Sequence, residues 1–172
     1  MTLNARVGEF PVWLELEVGG RSRDELLAEI EKAGMFATDY TKDIMSKDAW
    51  RPGERENVRF AKAQVRELGF TQDPTNCELC DRIEELGFSP CEPCDGPALR
   101  IAFKDQPWGM VCWTVMKQIT FSVCRPAFFA LERNDDGEMW LSGLWNIPDG
   151  RWNIDDEAVF RLRKCVYVKG HL

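Results

Sequence analysis

Four cysteines stand in two close pairs, Cys77-x2-Cys80 and Cys91-x2-Cys94, with ten residues between the pairs. Two such pairs can supply the four tetrahedral sulfur ligands that structural zinc prefers. Zinc at Cys77, Cys80, Cys91 and Cys94 is the leading expectation, although the spacer is shorter than a usual zinc-ribbon loop. Iron also suits four sulfurs, and four reduced thiols or a redox use fit the same letters. A closed four-thiolate site has no open position for a substrate water, so a zinc here would be structural. The charge around the pairs pulls the other way. Glu78, Asp81, Glu84, Glu85, Glu92 and Asp95 crowd the segment, and within it only Arg82 answers them. Acidic neighbours disfavour thiolates, which argues against a reactive nucleophilic cysteine. Cys112, Cys124 and Cys165 fall on or beside expected strands and read as small buried hydrophobes.

Other chemistries lack their parts. His171 is the only histidine and lies beside the last residue, so triads and His-metal catalysis have no base or ligand. Gly19-Gly20 is a turn and not a phosphate loop. Asn134-Asp135-Asp136-Gly137 lacks the alternating carboxylates of a calcium loop and reads as a hairpin turn. Asp105, Glu132 and Asp149 lie near expected strand ends or in loops, where a small carboxylate-dependent enzyme would gather its acids. Tryptophan is the remaining signal. Trp145-Asn146-Ile147-Pro148-Asp149 is echoed by Trp152-Asn153-Ile154-Asp155-Asp156, and Trp108 sits in a turn. Trp108, Trp145 and Trp152 are the candidate binding surface, because exposed aromatics bury a large area at low entropic cost. The competing reading has them covering the core.

These residues need elements to place them. Leu14, Leu16 and Val18 alternate with Glu15 and Glu17, which predicts a strand ended by Gly19-Gly20. Ser22 with Glu25 forms a capping box for a helix that Gly34 stops, and a short helix is expected over Asp39 to Met45. Val58 and Phe60 mark another strand. Glu67-Leu68-Gly69-Phe70 recurs as Glu85-Leu86-Gly87-Phe88, which we read as shared helix-stop chemistry. Between them Thr75 starts a helix through Leu86. It places Cys77 and Cys80 three apart on one face near its N-terminus, where the helix dipole favours thiolate. Gly87 and Pro90 then let the chain return Cys91 and Cys94 alongside. After Pro97 the pattern is strand-like. Leu99, Ile101 and Phe103 alternate with Arg100, Ala102 and Lys104, and Val111, Trp113 and Val115 with their neighbours. Ala127 to Arg133 and Glu138 to Leu144 predict a hairpin, and Glu157 to Cys165 a last strand. Helices early and strands late favour an α+β fold with a mainly antiparallel, C-terminally weighted sheet. A four-cysteine zinc staple is its candidate pin.

The chain has 172 residues, 44% of them hydrophobic, which fits a single domain over 1–172 with a metal-binding segment at 75–95. Its net charge of -7 disfavours broad binding to nucleic acid. Arg161, Arg163 and Lys164 could form a local basic patch, but the solvated face of a strand is the plainer reading. No apolar run is long enough to span a membrane. Met1 to Glu9 has no basic region followed by an apolar run, so no signal peptide is expected and the cytoplasm is the expected location. An odd cysteine count, seven, argues against a disulfide scaffold there.

From Phe10-Pro11-Val12-Trp13 onward, the chain resembles a family of small uncharacterised proteins from bacteria of the candidate phyla radiation. The landmarks are Glu67-Leu68-Gly69-Phe70, Gly96-Pro97 followed by Leu99-Arg100-Ile101, Asp105-Gln106-Pro107 with Gly109, and Trp140-Leu141. The resemblance implies no catalytic residues. That family carries Cys-Pro-Ala-Glu before its Gly-Pro, where this chain has Cys91-Glu92-Pro93-Cys94. The resemblance thereby implies that the four-cysteine arrangement is a variation on the fold and not its foundation. The sequence thus points to a non-enzymatic protein- or ligand-binding or regulatory module, with a carboxylate-dependent enzyme acting on a small molecule as the alternative.

Overall fold

A computed structural model describes residues 9–117, 119–120, 126–145 and 150–162. Up to residue 94 the expected elements are present, and one two-residue strand that carried no signal is added to them. Strand β1 (Leu14–Val18) leads into helix α1 (Arg23–Lys32), and the Ser22/Glu25 capping box makes both of its reciprocal bonds. A two-residue strand β2 (Phe36–Ala37) precedes α2 (Asp39–Ser46), which Thr38 caps. Next come β3 (Glu56–Gln64) and a 3-10 turn over Val65–Leu68. Helix α3 (Asn76–Glu85) has its own capping box at Thr75 and Glu78. The two Glu-Leu-Gly-Phe stretches both end helical turns. Gly69 and Gly87 take φ of 98° and 89°, which side chains with a Cβ rarely adopt.

After α3 the expectations diverge. The predicted strand at Leu99–Phe103 is instead helix α4 (Asp95–Ala102). Pro97 sits in its first turn, where a missing N–H costs nothing. The alternation was misleading because its polar member, Arg100, is fully buried with the apolar ones. Strands β4 (Val111–Thr114), β5 (Ile119–Thr120), β6 (Pro126–Arg133), β7 (Met139–Trp145) and β8 (Glu157–Leu162) complete the order, with the expected hairpin joining β6 and β7.

All the described strands belong to one sheet, ordered β1-β3-β8-β4-β6-β7-β2 with β5 beside β6. The fold is α+β, but the sheet is mixed and not mainly antiparallel. Strand β8 runs parallel to β4, and β2 parallel to β7. Both parallel ladders join segments far apart in the chain, and period-2 alternation carries no information about strand direction. Helices α1, α2 and α4 gather on one side of the sheet. There α4 crosses β6 so closely that a Cβ on Gly96 would stand 2.7 Å from the Phe129 ring. The other side holds an aromatic layer that includes Phe10, Phe88 and Phe160 in edge contacts, then Trp113, Phe128 and Trp152. Among the described residues, no helix is long and apolar enough to cross a membrane.

Candidate functional site

The cysteine segment is built around α3 and the loop to α4. Cys77 occupies the second position of α3 and is exposed, whereas Cys80, one turn on, is buried. The buried Asn76 side chain reaches over this turn. Its amide Nδ2 donates to the Met116 carbonyl at 3.0 Å and lies 3.8 Å from Cys80 Sγ. Its Oδ1 accepts from Trp152 Nε1 at 3.1 Å. The Trp152 backbone N–H, in turn, donates to the Pro74 carbonyl. The start of α3 is therefore seated on Trp152.

Cys91 lies in an extended stretch that bridges to the sheet. Ser89 pairs with Arg161, Cys91 N–H donates to the Val115 carbonyl, and Cys91 Sγ lies 3.4 Å from the Val159 carbonyl. Cys94 caps α4 without a side-chain cap bond, and its Sγ is 3.7 Å from Asp95 Oδ1. Asp95 itself is fully buried and takes a two-pronged contact from Arg161, Nε to Oδ2 at 2.6 Å and an η-nitrogen to Oδ1 at 2.7 Å. Arg161 also reaches Glu56 at 2.7 Å. Arg161 is thus the hinge of a buried ion network and not part of a solvated basic face. Arg163 and Lys164 lie outside the described residues.

Electrostatics keep the buried thiols protonated. Burial is the largest cause in each case. It lifts Cys80 to about 12, with help from Cys77, Asp81 and Glu84. It lifts Cys94 to about 12 and Cys91 well above its ordinary value, with Asp95 adding to both. Arg161 opposes the rise at Cys91 and Cys94, and Lys117 opposes it at Cys80. Sequence reasoning found only Arg82 to balance the acids here, because Arg161 and Lys117 arrive from distant strands. Among the described residues, no three His, Cys, Asp or Glu side chains gather as a metal-holding group. Electrostatic coupling links Cys77 to Cys80, Cys80 to Cys91 and Cys91 to Cys94, while Cys77 faces outward and Cys91 and Cys94 turn to separate acceptors.

The tryptophans part company. Trp152 is buried, stacked on Phe128 at 5.4 Å and edge-on to Trp113 at 6.0 Å, so it is a core residue and not part of an exposed platform. Trp145 closes β7, and its side chain lies outside those described, as do Asp149, Cys124, Cys165 and His171. Trp108 is 63% exposed. Its ring lies under the Arg133 guanidinium at 5.1 Å and flush on Gly137, where a Cβ would stand 2.9 Å from the ring. Phe128, beside Trp152, and Arg133, beside Trp108, are five positions apart on β6, roughly 17 Å, so the two tryptophans mark different ends of the sheet.

Sequence reasoning missed the companion of Trp108. Phe36, on the sheet edge, is 41% exposed and stacks on Trp140 at 4.8 Å. A groove of about 450 Å³ runs between Phe36 and the β6–β7 turn, lined also by Lys104, Gly137 and Met139. Phe36 carried no signal, since a two-residue strand has no period to read.

Behind this surface Arg100 is fully buried, with no carboxylate contact among the described residues. Its guanidinium donates to Gln106 Oε1 at 2.6 Å and to the carbonyls of Phe103, Glu132 and Trp140. Burial lowers its value to about 10. Gln106 passes the link on to the Met110 and Leu131 carbonyls, and so fixes the loop that presents Trp108. Of the carboxylates expected for catalysis, Glu132 accepts from the Ser142 hydroxyl, while Asp105 is exposed on that loop. No protein-family model matches the chain, and no curated protein or solved structure is significantly similar to it.

Proposed function

We propose that this chain is a non-enzymatic binding or regulatory module. Its contact surface for a protein or small ligand is the end of the sheet carrying Trp108 and Phe36. The observation that carries this reading is Trp108 itself, a large aromatic that is 63% exposed yet held on Arg133 and Gly137. An exposed but immobilised aromatic loses little entropy when a ligand covers it, which is what an interface anchor requires. The groove beside Phe36 extends the same surface. The test is capture from host-cell lysate with wild type, Trp108→Ala and Phe36→Ala. The reading expects proteins or ligands retained by wild type and lost from both variants, and identical capture by all three overturns it.

Structural zinc at Cys77, Cys80, Cys91 and Cys94 is a companion proposal. The shared neighbourhood of Cys80, Cys91 and Cys94 supports it. Arg161 and Lys117 also support it, because positive charge offsets the net negative charge of a four-thiolate zinc. Elemental analysis of protein purified without added metal should find about one zinc per chain. A content below a tenth of that contradicts the proposal. Kinship with the candidate-phyla family is also proposed. Two of its landmark stretches meet in the Arg100–Gln106 hydrogen bond, which supports reading them as parts of one fold.

A further inference from the structure

We infer that Cys77 and Cys80 form a reversible dithiol–disulfide couple that is oxidised preferentially by cationic disulfides. This inference is independent of the Trp108 surface and of a bound metal. It rests on the asymmetry of the pair. Cys77 is exposed at the second position of a ten-residue helix, and Cys80 is buried one turn below. One sulfur can meet a solute, and this exposure, which the acidic letters around it could not show, outweighs the expectation of an unreactive cysteine; the other lies one turn away and out of solvent.

The spacing allows the bond. Cysteines three apart on a helix have Cβ atoms about 5–6 Å apart, and a disulfide needs about 3.5–4.5 Å. Closing the difference means tightening the first turn of α3, which the Thr75/Glu78 capping box holds through side-chain bonds and not through intrahelical backbone bonds. Such a bond is exposed and somewhat strained, so it is easily reduced again. Asn76 gives Cys80 a second point of definition, since it holds the turn to Met116 and Trp152 with its amide against the Cys80 sulfur.

The chemistry balances without a metal. Cys77, having lost its proton to water, attacks one sulfur of an external disulfide RSSR. A Cys77–S–SR bond forms, the S–S bond of RSSR breaks, and the first RS⁻ leaves and takes up a proton. Cys80 then attacks Cys77 Sγ, its proton passing by way of water to the departing second RS⁻. The intramolecular disulfide forms and the second RS⁻ leaves to be protonated in its turn. The protein loses two electrons and two protons, and RSSR becomes two RSH.

Fixed charge selects the oxidant. Glu78, Asp81, Glu84 and Glu85 are exposed on α3, and Asp73 lies just before it. Of the nearby cations, Arg82 is paired with Glu85 and Lys117 with Glu84. Arg151 donates to the Asp73 carbonyl. The field at Cys77 is therefore net negative. It draws a cationic disulfide towards the exposed sulfur and repels an anionic one, more strongly at low ionic strength.

The test uses reduced, chelator-treated full-length protein at low salt. It is exposed separately to cystamine, bis(2-hydroxyethyl) disulfide and dithiodiglycolate, which are cationic, neutral and anionic. Mapping by mass spectrometry should find a Cys77–Cys80 disulfide that dithiothreitol reverses. Oxidation should be about tenfold faster with cystamine than with dithiodiglycolate, and the gap should shrink in high salt. Cys77→Ser should form neither adduct nor disulfide at this helix, and Cys80→Ser should stop at the Cys77 mixed disulfide. A Cys91→Ser/Cys94→Ser variant should oxidise as wild type does, which separates this couple from a zinc site that needs all four thiols. Three results overturn the inference: a wild type that stops at the Cys77 adduct, a disulfide that requires Cys91 or Cys94, or equal rates with all three reagents.

Discussion

At the scale of single residues, the cysteine segment is pinned by charge. Asp95 is completely buried, accepts from the Glu92 backbone N–H and meets Arg161 through two bonds. Burial alone pushes its carboxyl up, and Arg161 pulls it back towards ionisation. Removing one member leaves the other charge buried without its counter-ion, so Arg161→Met should lower unfolding stability by about 3–5 kcal/mol in urea. A Glu56→Gln change at the exposed end of the same network should cost about 1 kcal/mol or less. Equal losses for the two variants would mean that the buried link is not the pin. A period of two sets Arg161 on the strand face opposite Phe160. It does not say that Asp95, at the start of α4, meets Arg161 there, so the residue read as a solvated charge. The two cysteine pairs were legible as a motif. Their division into one exposed and three buried thiols was not, because it depends on Trp152 and β8 arriving from the far end of the chain.

At the scale of elements, caps and glycine stops were legible and the α4 segment was not. Ser22 and Thr75 each cap the helix expected of them, because a cap is satisfied within one turn and needs no tertiary partner, and Thr38 caps the short helix expected over Asp39 to Met45. Helix α4 is buried along nearly its whole length, so it has no polar stripe to reveal a 3.6-residue period. Its position depends on Gly96. A Cβ there would stand 2.7–2.8 Å from three atoms of Phe129 and would force α4 off β6. Gly96→Ala should therefore destabilise by about 1–3 kcal/mol despite alanine's better helix propensity. Gly34→Ala makes a fair comparison, because it strains a left-handed residue with no atom nearby to clash. Thermal unfolding of both variants would reject tight packing at Gly96 if that variant matched wild type.

At the scale of the whole molecule, the α+β class followed from where helices and strands fall along the chain. The mixed sheet did not, because β2/β7 and β4/β8 are pairings that no local pattern encodes. The same long-range pairing decides which aromatics reach the surface. It sends Trp152 into the layer with Trp113 and Phe128, and it brings Phe36 from before α2 to stack on Trp140. Trp108 stays outside because Gln106 and Arg133 tie its loop to the hairpin, with Arg133 donating to the Gln106 carbonyl at 2.8 Å. The surface that results is held by packing and hydrogen bonds before anything binds. The most direct measurement is the Kd of a captured partner for wild type and for Trp108→Ala, taken alongside the urea midpoint of each. The account predicts affinity weaker by about tenfold or more at an unchanged midpoint. Equal affinity for the two proteins would contradict it.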